Sequence, residues 1–482
     1  MKKIIVFFVA ILSINFLNAQ FVEDALRYTY PNTFITARAG GLGVAYHGIT
    51  DDVSALYYNP AGLSLIQKNE VSFGMGFSRI KNNADYLNFD KEFKSNSEYI
   101  SHFVMASPLA RLSSKATFAV GYFLENDYNN AIQYEGFNSK YSMIASETNY
   151  GPINPDENWA YSLYLADQNA TKNGFITPYN DSLKQTSFTQ ESGGLHNISG
   201  GAGFDINEMV SIGISLTGKW GTYKYNREFN EYDELGIYQN TSVDGYTFNA
   251  LNTVENLTAK ISGFSGSLGV QARILDFMRF SARVKFPTFY QVDEKFSARY
   301  NVDYKSYPSN GGNNYFFDTG ELTNSYNLTT PFTYSAGFSA YVNGVTIAAG
   351  IEYSDASQIE FSDALPQVIA LNTKLIQEII GSTTWGFAAE YEFPILPIAI
   401  RGSYSKTTSP YTLDIANAAK DVLAVGLSVY PSKNVRIDAL IRSVNVSELR
   451  TNYASDYENL RFTKYVLENS PLDIGFSITY RY

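Results

Sequence analysis

Apolar and polar residues alternate strictly in one segment of this chain after another, and this pattern restricts the fold more than any other feature. In residues 210–220, for example, Ile212, Ile214 and Leu216 share one face, and Ser211 and Ser215 share the other. A period of two residues is typical of β-strands with one apolar face. The same pattern predicts fourteen strands, over residues 71–78, 99–106, 116–124, 195–206, 210–220, 264–273, 278–286, 332–342, 345–353, 384–393, 398–404, 422–430, 435–443 and 472–482.

Charged residues in these segments fall on the polar face of their strand, and this parity predicts the environment of each face. An arginine that faced lipid at the middle of a bilayer would cost about 2–4 kcal/mol. A soluble β-protein also alternates, but its polar face would contact bulk water. Because the opposite face carries large apolar residues on almost every strand, we predict lipid outside and a wet lumen inside. The charged residues concerned are Arg273, Arg279, Arg283, Lys285, Glu352, Glu390, Glu392, Arg401, Arg436, Asp438, Arg442 and Asp473.

The connections between the predicted strands alternate in length. Short connections follow even-numbered strands, at 205–208, 275–277, 343–344, 394–397 and 431–434. Long connections follow odd-numbered strands, at 80–98, 125–190, 228–255, 288–330, 354–383, 405–421 and 444–470. Outer-membrane barrels combine short periplasmic turns with long extracellular loops and have an even number of strands. We therefore predict an all-β fold, a fourteen-stranded antiparallel transmembrane β-barrel with both termini on the periplasmic side.

The composition agrees with a membrane barrel and argues against other classes. Aromatic residues make up 15% of the chain, with 38 Tyr and 33 Phe, as the aromatic girdles of such barrels require. The net charge of −11 leaves no basic surface that could neutralise phosphates, so nucleic acid is not an expected partner. The chain contains no cysteine, and we therefore expect neither disulfides nor a lipid-anchored cysteine.

Both ends of the chain carry patterns typical of export. Residues 1–19 form a predicted signal peptide, in which Lys2 and Lys3 precede an apolar run, with cleavage near Gln20. Residues 472–482 alternate and end on Tyr482, which resembles the C-terminal signal that the barrel-assembly machinery reads. We expect location in the bacterial outer membrane, with its lipids and the barrel-assembly machinery as partners.

Residues 36–64, which precede the first predicted strand, contain three short motifs. Small residues allow two backbones to approach closely, and a proline pushes the residue before it out of the helical conformation. A glycine-rich surface loop would have these properties, and so would a plug packed against a barrel wall. The motifs are, in order, Gly40, Gly41 and Gly43; Asp51 and Asp52; and Asn59, Pro60, Ala61 and Gly62.

This order of motifs resembles the N-terminal hatch of the FadL/TodX family of outer-membrane transporters for hydrophobic compounds. The resemblance implies a hatch at residues 20–67 inside the lumen of a barrel formed by residues 68–482. It also implies passive transport of hydrophobic small molecules, such as long-chain fatty acids or aromatic hydrocarbons, with the motif residues acting in the hatch and its gating. The fourteen predicted strands match the architecture of that family.

One long connection contains a predicted amphipathic helix. Apolar residues recur at helical spacing in residues 364–380 and would form one face of that helix. This face could build a groove for hydrophobic substrate, as loop helices do in the family that the sequence resembles, or it could pack on neighbouring loops. The candidate groove residues are Val368, Leu371, Leu375, Ile376 and Ile379.

The sequence lacks the usual catalytic and metal-binding patterns. The three histidines, His47, His102 and His196, do not have the spacing of metal ligands, and there is no Gly-x-Ser-x-Gly motif. We therefore expect the chain not to be an enzyme and to bind no cofactor or metal. Two other functions stay open. One is a barrel component of a protein secretion system, and the other is haem uptake, because His47 lies in the hatch.

Overall fold

Fourteen antiparallel strands pair edge to edge in a computed structural model that describes residues 20–109, 116–275, 277–414, 417–453 and 464–482. The last strand pairs with the first, so that Tyr480 lies opposite Val71 and Val466 lies opposite Asp85. The barrel is therefore closed and has no free edge, which a lipid environment could not satisfy. Its strands are Glu70–Tyr86, Phe89–Leu109, Ala116–Asp127, Leu183–Asp205, Val210–Tyr232, Thr247–Ile274, Met278–Lys285, Thr333–Val342, Val345–Asp355, Gly381–Glu392, Ile398–Thr407, Lys420–Ser432, Val435–Thr451 and Lys464–Arg481.

Each predicted strand overlaps one of these fourteen strands, so the predicted barrel is confirmed. The signal peptide predicted at residues 1–19 lies outside the described residues. Within them, no helix has the length and apolar character needed to cross a bilayer. The strands besides these fourteen are Asn130–Asn138, Asp167–Gln168, Phe175–Ile176, Phe289–Ser306, Asn314–Asp318, Leu322–Thr329 and Glu360–Ser362.

The helices fall into two groups. An N-terminal group comprises α1 (Gln20–Thr29), α2 (Ala37–Leu42), α3 (Ala55–Tyr58) and two 3₁₀-helices, Gly43–Gly48 and Pro60–Leu65. The second group lies in the long connections and comprises α4 (Met143–Tyr150), α5 (Trp159–Ser162), α6 (Pro366–Glu378) and the 3₁₀-helix Ala356–Gln358.

The two faces of the barrel wall differ as their alternation predicts. Ile212, Ile214 and Leu216 are exposed on the outside, whereas Ser211 and Ser215, which alternate with them, are buried. Eleven of the twelve charged residues assigned to the lumen face are likewise buried or partly buried. The fully buried ones among them are Arg283, Glu390, Arg401, Arg436, Asp438 and Asp473.

Several connections predicted as loops are extensions of the barrel strands instead. Residues 80–98 form a hairpin whose two-residue turn, Leu87 and Asn88, has positive φ at both positions (55° and 67°). Hairpin turns of this kind match the twist of the strands that they join. Residues 228–232 and 247–255 also continue the strands on either side of that connection. The alternation misses these parts because, beyond the lipid, both faces of a strand can be polar and no apolar face marks it.

The long connections build a cap over one end of the barrel, formed by residues 128–182, 233–248 and 296–328. The cap has its own apolar core, in which Trp159 stacks on Tyr300 with ring centroids 4.4 Å apart. Tyr179 packs edge to face against Tyr238 and contacts Phe248 in the same core. The short turns lie at the opposite end of the barrel, so one end is covered and the other is bare.

Residues 20–67, called the hatch from here on, lie inside the barrel and run from the cap end to the short-turn end. Near the cap, Leu26 of α1 belongs to the same apolar cluster as Leu371 and Leu375 of α6. Near the short turns, the backbone of Pro60 lies against Gly213 of the wall. The hatch thus runs along the axis of the lumen.

Phe387→Arg should destabilise the barrel far more than Thr384→Arg. Phe387 points outward and is 60% exposed, so an arginine there would cost about 2–4 kcal/mol in lipid. Thr384 is on the same strand but lines the lumen, where a charge can remain hydrated. Urea unfolding of both variants in lipid vesicles, read by heat-modifiable gel mobility, makes the comparison. Equal destabilisation would contradict the assignment of the two faces.

Candidate functional site

A network of ion pairs joins the hatch to the barrel wall. Its central hatch residue is Arg38 of α2, which is buried and donates to both carboxylate oxygens of Glu390, at 2.8 and 3.2 Å. The same guanidinium lies 2.5 Å from Asp51 and 3.1 Å from Asp52, the predicted acidic pair. Arg38 therefore links two hatch carboxylates to a carboxylate of the wall.

The network continues through arginines of the wall. Arg401 donates to Glu390 at 2.7 Å, and Arg436 donates to Asp52 at 2.9 Å and to Asp438 at 3.0 Å. The network contains four arginines and four carboxylates, so its positive and negative charges are equal in number. Its members are Arg38, Arg279, Arg401 and Arg436 with Asp51, Asp52, Glu390 and Asp438.

Burial explains why these charges occur together. An ionised group that leaves water loses its hydration, and only a close partner of opposite charge with good geometry offsets that loss. Asp52 and Asp438 are almost completely buried, and each accepts from arginines on two or more sides. Any movement of the hatch away from the wall would leave buried charges unpaired, so the network opposes such movement.

The hatch backbone also rests directly on the backbone of the wall. A Cβ at Gly48 would lie 2.3 Å from the carbonyl oxygen of Phe338, and one at Gly337 would lie 2.2 Å from the backbone nitrogen of Gly48. Only glycine on both sides permits such an approach. The small residues predicted for the hatch, Gly40, Gly41 and Gly43, lie in and just after α2, where Gly41 faces the side chain of Arg401.

The Asn-Pro-Ala turn is tethered to the wall at the short-turn end. The Asn59 side-chain oxygen accepts from the backbone N–H of Ala61 at 3.1 Å, which caps the 3₁₀-helix that begins at Pro60. The Asn59 amide nitrogen donates to the carbonyl oxygens of Val270 and Ala282, on neighbouring strands, at 3.2 and 3.4 Å. One side chain therefore holds the turn in shape and attaches it to the barrel.

The acidic pair and the turn form local motifs in the sequence, whereas no such motif marks Arg38. An available signal was its position, because Arg38 is the one charged residue between the predicted cleavage site near Gln20 and Asp51 that lies within the small-residue run. Its partner Glu390 was assigned to the lumen face but not to the hatch. Which wall strand faces α2 is decided by the path of the hatch, and no local pattern encodes that path.

A cavity of about 470 Å³, called the lumen cavity, lies between the hatch and the barrel wall. This volume is typical of small-molecule sites, which measure roughly 300–1,000 Å³. Its floor and walls combine aromatic rings with ionisable groups. Residues that line it include Val44, His47, Tyr57 and Tyr58 of the hatch and Tyr99, Arg283, Lys285, Glu352, Lys420 and Arg442 of the wall.

Most cations that line the lumen cavity are engaged by carboxylates. Arg442 donates to Asp473 at 2.8 Å, and Lys285 lies 3.5 Å from Glu125. Lys420 differs, because its side chain has no hydrogen-bond or ion-pair partner among the described residues. Its ammonium group is therefore available to an anionic ligand in the cavity.

The predicted groove residues lie on α6 and at its C-terminal end, but they do not share one environment. Val368, Leu371, Leu375 and Ile379 are buried in the cluster that includes α1, whereas Ile376 is 68% exposed. None of the five lines the lumen cavity. The helical spacing is confirmed, and the role of these residues in substrate binding stays a prediction.

The histidines lie apart from one another. His47 of the hatch places Nε2 3.3 Å from the Glu352 carboxylate and packs edge to face on Tyr58. His102 contacts the hydroxyls of Ser72 and Ser101. Over the described part of the chain, no group of three or more histidine or acidic residues has a geometry that could hold a metal ion.

Solved structures with the same fold are known, although the sequence itself matches no family model and no curated protein. A FadL homologue of Pseudomonas aeruginosa is 12% identical, aligned over 94% of this chain and 99% of that chain, with a TM-score of 0.55. The toluene transporter TodX of P. putida is 14% identical, aligned over 89% of this chain and 94% of that chain, with a TM-score of 0.53. The predicted resemblance to FadL and TodX is therefore confirmed at the level of the fold.

Arg38→Met should destabilise the protein by about 3–5 kcal/mol, because it leaves buried carboxylates without their partner. The double variant Arg38→Met/Glu390→Met should recover part of this loss, since it removes both members of one pair. Urea unfolding in lipid vesicles measures each free energy.

Lys295→Met is the matched control, because Lys295 and Glu321 form an exposed ion pair at 2.6 Å on the cap. Surface pairs contribute little to stability, so this variant should behave like the unaltered protein. If Arg38→Met lowered the free energy of unfolding no more than Lys295→Met does, the ion-pair network would not be what holds the hatch in place.

Proposed function

We propose that this protein is an outer-membrane transporter that lets hydrophobic small molecules pass without an energy source. The observation that carries the proposal is the 470 Å³ lumen cavity, which lies between the hatch and the wall of a closed barrel. The fold likeness supports it, because one solved relative is a FadL homologue and another is a toluene transporter. The apolar outer face supports location in a membrane.

The lining of the lumen cavity supports a ligand with both an apolar body and an acidic end. Tyr57, Tyr58 and Tyr99 offer aromatic surface, and Lys420 offers an ammonium group that has no hydrogen-bond or ion-pair partner among the described residues. A charge-assisted hydrogen bond to a carboxylate is among the stronger polar contacts in proteins. Of the two substrate classes expected from the sequence, long-chain fatty acids fit this lining better than aromatic hydrocarbons.

In this proposal the hatch is the gate. It separates the lumen cavity from the short-turn end, and its motif residues form three separable contacts with the wall. The acidic pair joins the ion-pair network, Gly41 lies against the side chain of Arg401, and Asn59 attaches the turn to the wall. Segments held by a few discrete contacts open at lower free energy than the core does. We infer that Asn59, Pro60, Ala61 and Gly62 release first, because they lie outside the network.

Helix α6 has a supporting role in this proposal. Four of its predicted groove residues hold it against α1 of the hatch, and Ile376 faces outward. Ile376 therefore offers an exposed apolar side chain to a hydrophobic molecule outside the barrel. A displacement of α6 would also displace α1, because the two helices share one apolar cluster.

Delivery to the outer membrane completes the proposal. The strand Lys464–Arg481 pairs with the first strand and closes the barrel, and it ends next to the aromatic Tyr482. We infer that the barrel-assembly machinery reads this strand after the signal peptide has been removed near Gln20.

Lys420→Met should lower the uptake of a labelled long-chain fatty acid at least tenfold at low concentration, since a hydrogen bond to a charged group contributes about 1.5–3 kcal/mol. Uptake of toluene should not change, because toluene has no acidic group. Proteoliposomes containing each variant measure both rates. Lys406→Met is the control, because Lys406 is on the same sheet but half exposed and paired with Asp421. Equal loss for both substrates would contradict the role of Lys420.

Deletion of residues 20–67 should open a leak to small polar solutes. The charged residues of the wall would then be wetted along the whole lumen, and sugars could pass. Swelling of proteoliposomes in sugar solutions measures the leak, and the full-length protein is the control. A hatchless barrel that shows the heat-modifiable mobility of a folded protein but excludes sugars would refute the gate.

A further inference from the structure

Four apolar or aromatic side chains are exposed at the short-turn end of the barrel, at the edge of the lumen mouth. They lie on consecutive strands or in the turns between them, and the most exposed of the four, Leu275, has 63% of its surface accessible. Exposed apolar patches mark sites of contact with a partner or a membrane. The four residues, called the apolar rim, are Met209, Leu275, Phe277 and Tyr341.

Two residues of the apolar rim extend the face of the wall that lines the lumen. The carbonyl oxygen of Phe277 accepts from the backbone N–H of Tyr341 at 2.8 Å, so the ladder between the two strands continues to Phe277. The carbonyl oxygen of Met209 accepts from the next strand at 2.7 Å in the same way. Because successive side chains alternate between the faces of a strand, Phe277 shares the face of Ser281, and Met209 shares the face of Ser211. Both serines are buried inside the barrel, so the polar lumen face ends in apolar side chains at its mouth.

The outer face of these strands is apolar as far as the short turns. On the strand that ends at Ile274, the exposed outward residues are apolar from Phe264 onward, and Lys260 is the first charged residue above Phe264. The ten steps from Phe264 to Ile274 measure about 34 Å along the strand, or about 25 Å across the bilayer at a tilt of about 40°. The apolar band of outer-membrane barrels is about 25 Å tall. The band therefore ends at Ile274, and Leu275 lies at its boundary.

The short turns of this end differ in polarity. Ile395 and Leu396 are exposed in the turn at residues 394–397, which is apolar like the rim. Ser432 and Lys433 are among the exposed side chains of the turn at residues 431–434. A polar turn and apolar turns therefore coexist at one end of the barrel, and the polar turn provides an internal control.

The apolar rim lies next to the turn of the hatch. Asn59 donates to the carbonyl oxygens of Val270 and Ala282. Leu275 and Phe277 belong to the short turn that joins the two strands of these carbonyl groups. The part of the hatch that we infer to release first is therefore attached to the strands that carry the rim.

The charged side chains near the rim are already paired. Arg273 donates to Asp205 at 3.0 Å and to the hydroxyl of Ser211 at 3.3 Å. Arg279 lies 3.4 Å from Asp51 of the hatch. A hydrophobic molecule that leaves the lumen here would pass compensated charges and then reach the apolar rim.

The continuity of the apolar surface indicates what covers the rim. Ile206, Ile274 and Val342 adjoin the rim and are exposed, and Ile274 belongs to the lipid-facing band. The apolar surface thus runs from the lumen mouth across the short turns to the wall that contacts lipid. A protein partner would have to cover a surface that merges with the bilayer, whereas acyl chains that already contact Ile274 reach Leu275 without interruption.

We propose that the apolar rim is immersed in the acyl chains of the inner leaflet and gives hydrophobic molecules a path from the lumen mouth into that leaflet. The path rests on the proposed transport function, whereas the lipid contact does not depend on it. A molecule released by movement of the Asn59 turn would follow apolar side chains into lipid and would not have to cross water.

Quenching by brominated lipids tests the lipid contact directly. The chain contains no cysteine, so Leu275→Cys, Phe280→Cys and Lys433→Cys each carry one bimane label. Phe280 is exposed on the outer face and is the reference for lipid, and Lys433 in the polar turn is the control for water. In vesicles of lipids with brominated acyl chains, the label at position 275 should be quenched at least half as strongly as the label at position 280. The label at position 433 should be quenched at least threefold less, and iodide in the buffer should reverse this order.

Two charges in the rim test the path. Leu275→Glu/Phe277→Glu should lower the uptake of a labelled long-chain fatty acid into proteoliposomes at least tenfold. Binding of the fatty acid to the purified protein should stay within twofold, because neither residue lines the lumen cavity. Acidic residues near the membrane interface cost little stability, and heat-modifiable mobility checks folding. Ser432→Glu/Lys433→Glu, with the same substituents in the polar turn, is the matched control, and Leu275→Met/Phe277→Leu should transport like the parent.

Each part of the proposal can fail separately. A label at position 275 that iodide quenches and brominated lipid does not would overturn the lipid contact and indicate that water or a protein partner covers the rim. Unchanged uptake by Leu275→Glu/Phe277→Glu would overturn the path. Absence of fatty acid uptake by the unaltered protein would refute the transport function, whereas the quenching experiment would still decide whether the rim lies in lipid.

Discussion

The arrangement of this protein depends on the pairing of buried charges between the hatch and the barrel wall. A barrel of fourteen strands encloses more space than its own side chains fill, and lipid outside prevents the wall from turning its charges outward. Arg38 therefore meets Glu390, and Asp52 meets Arg436, inside the lumen. The wall supplies most of the charges, and the hatch supplies the partners that make their burial tolerable.

The lumen cavity follows from where this pairing stops. At the level of the network the lumen is closed by ion pairs and by backbone contacts such as that of Gly48 with Phe338. Above it the hatch narrows to α1, and the wall continues into the cap, which has an aromatic core of its own. The space between them stays open and is lined by groups of both kinds, polar and aromatic. Lys420, which lines the lumen cavity, has no hydrogen-bond or ion-pair partner among the described residues.

The strands in lipid could be predicted from the sequence, whereas their continuation beyond the lipid could not. Within the membrane, each strand needs an apolar and a polar face, so residues such as Ile214 and Ser215 reveal both the strand and its orientation. The hairpin at Leu87 and Asn88 is outside that constraint, and its sequence reads as an ordinary polar loop. The candidate site shows the same division. Asp51, Asp52 and the turn at Asn59 form recognisable local motifs, but Arg38 acquires its importance only beside Glu390.

By itself, the sequence determined the number of barrel strands, the face of each that meets lipid, and the presence of a small-residue segment before the first strand. These properties are encoded locally, because alternation and turn chemistry act over a few residues. Only the tertiary structure decided which charges pair across the lumen, where the lumen cavity lies, and that the Asn59 turn contacts the strands that carry the apolar rim. Such contacts join residues far apart in the chain, and their geometry depends on the path of the hatch and the folding of the cap, which no short pattern specifies.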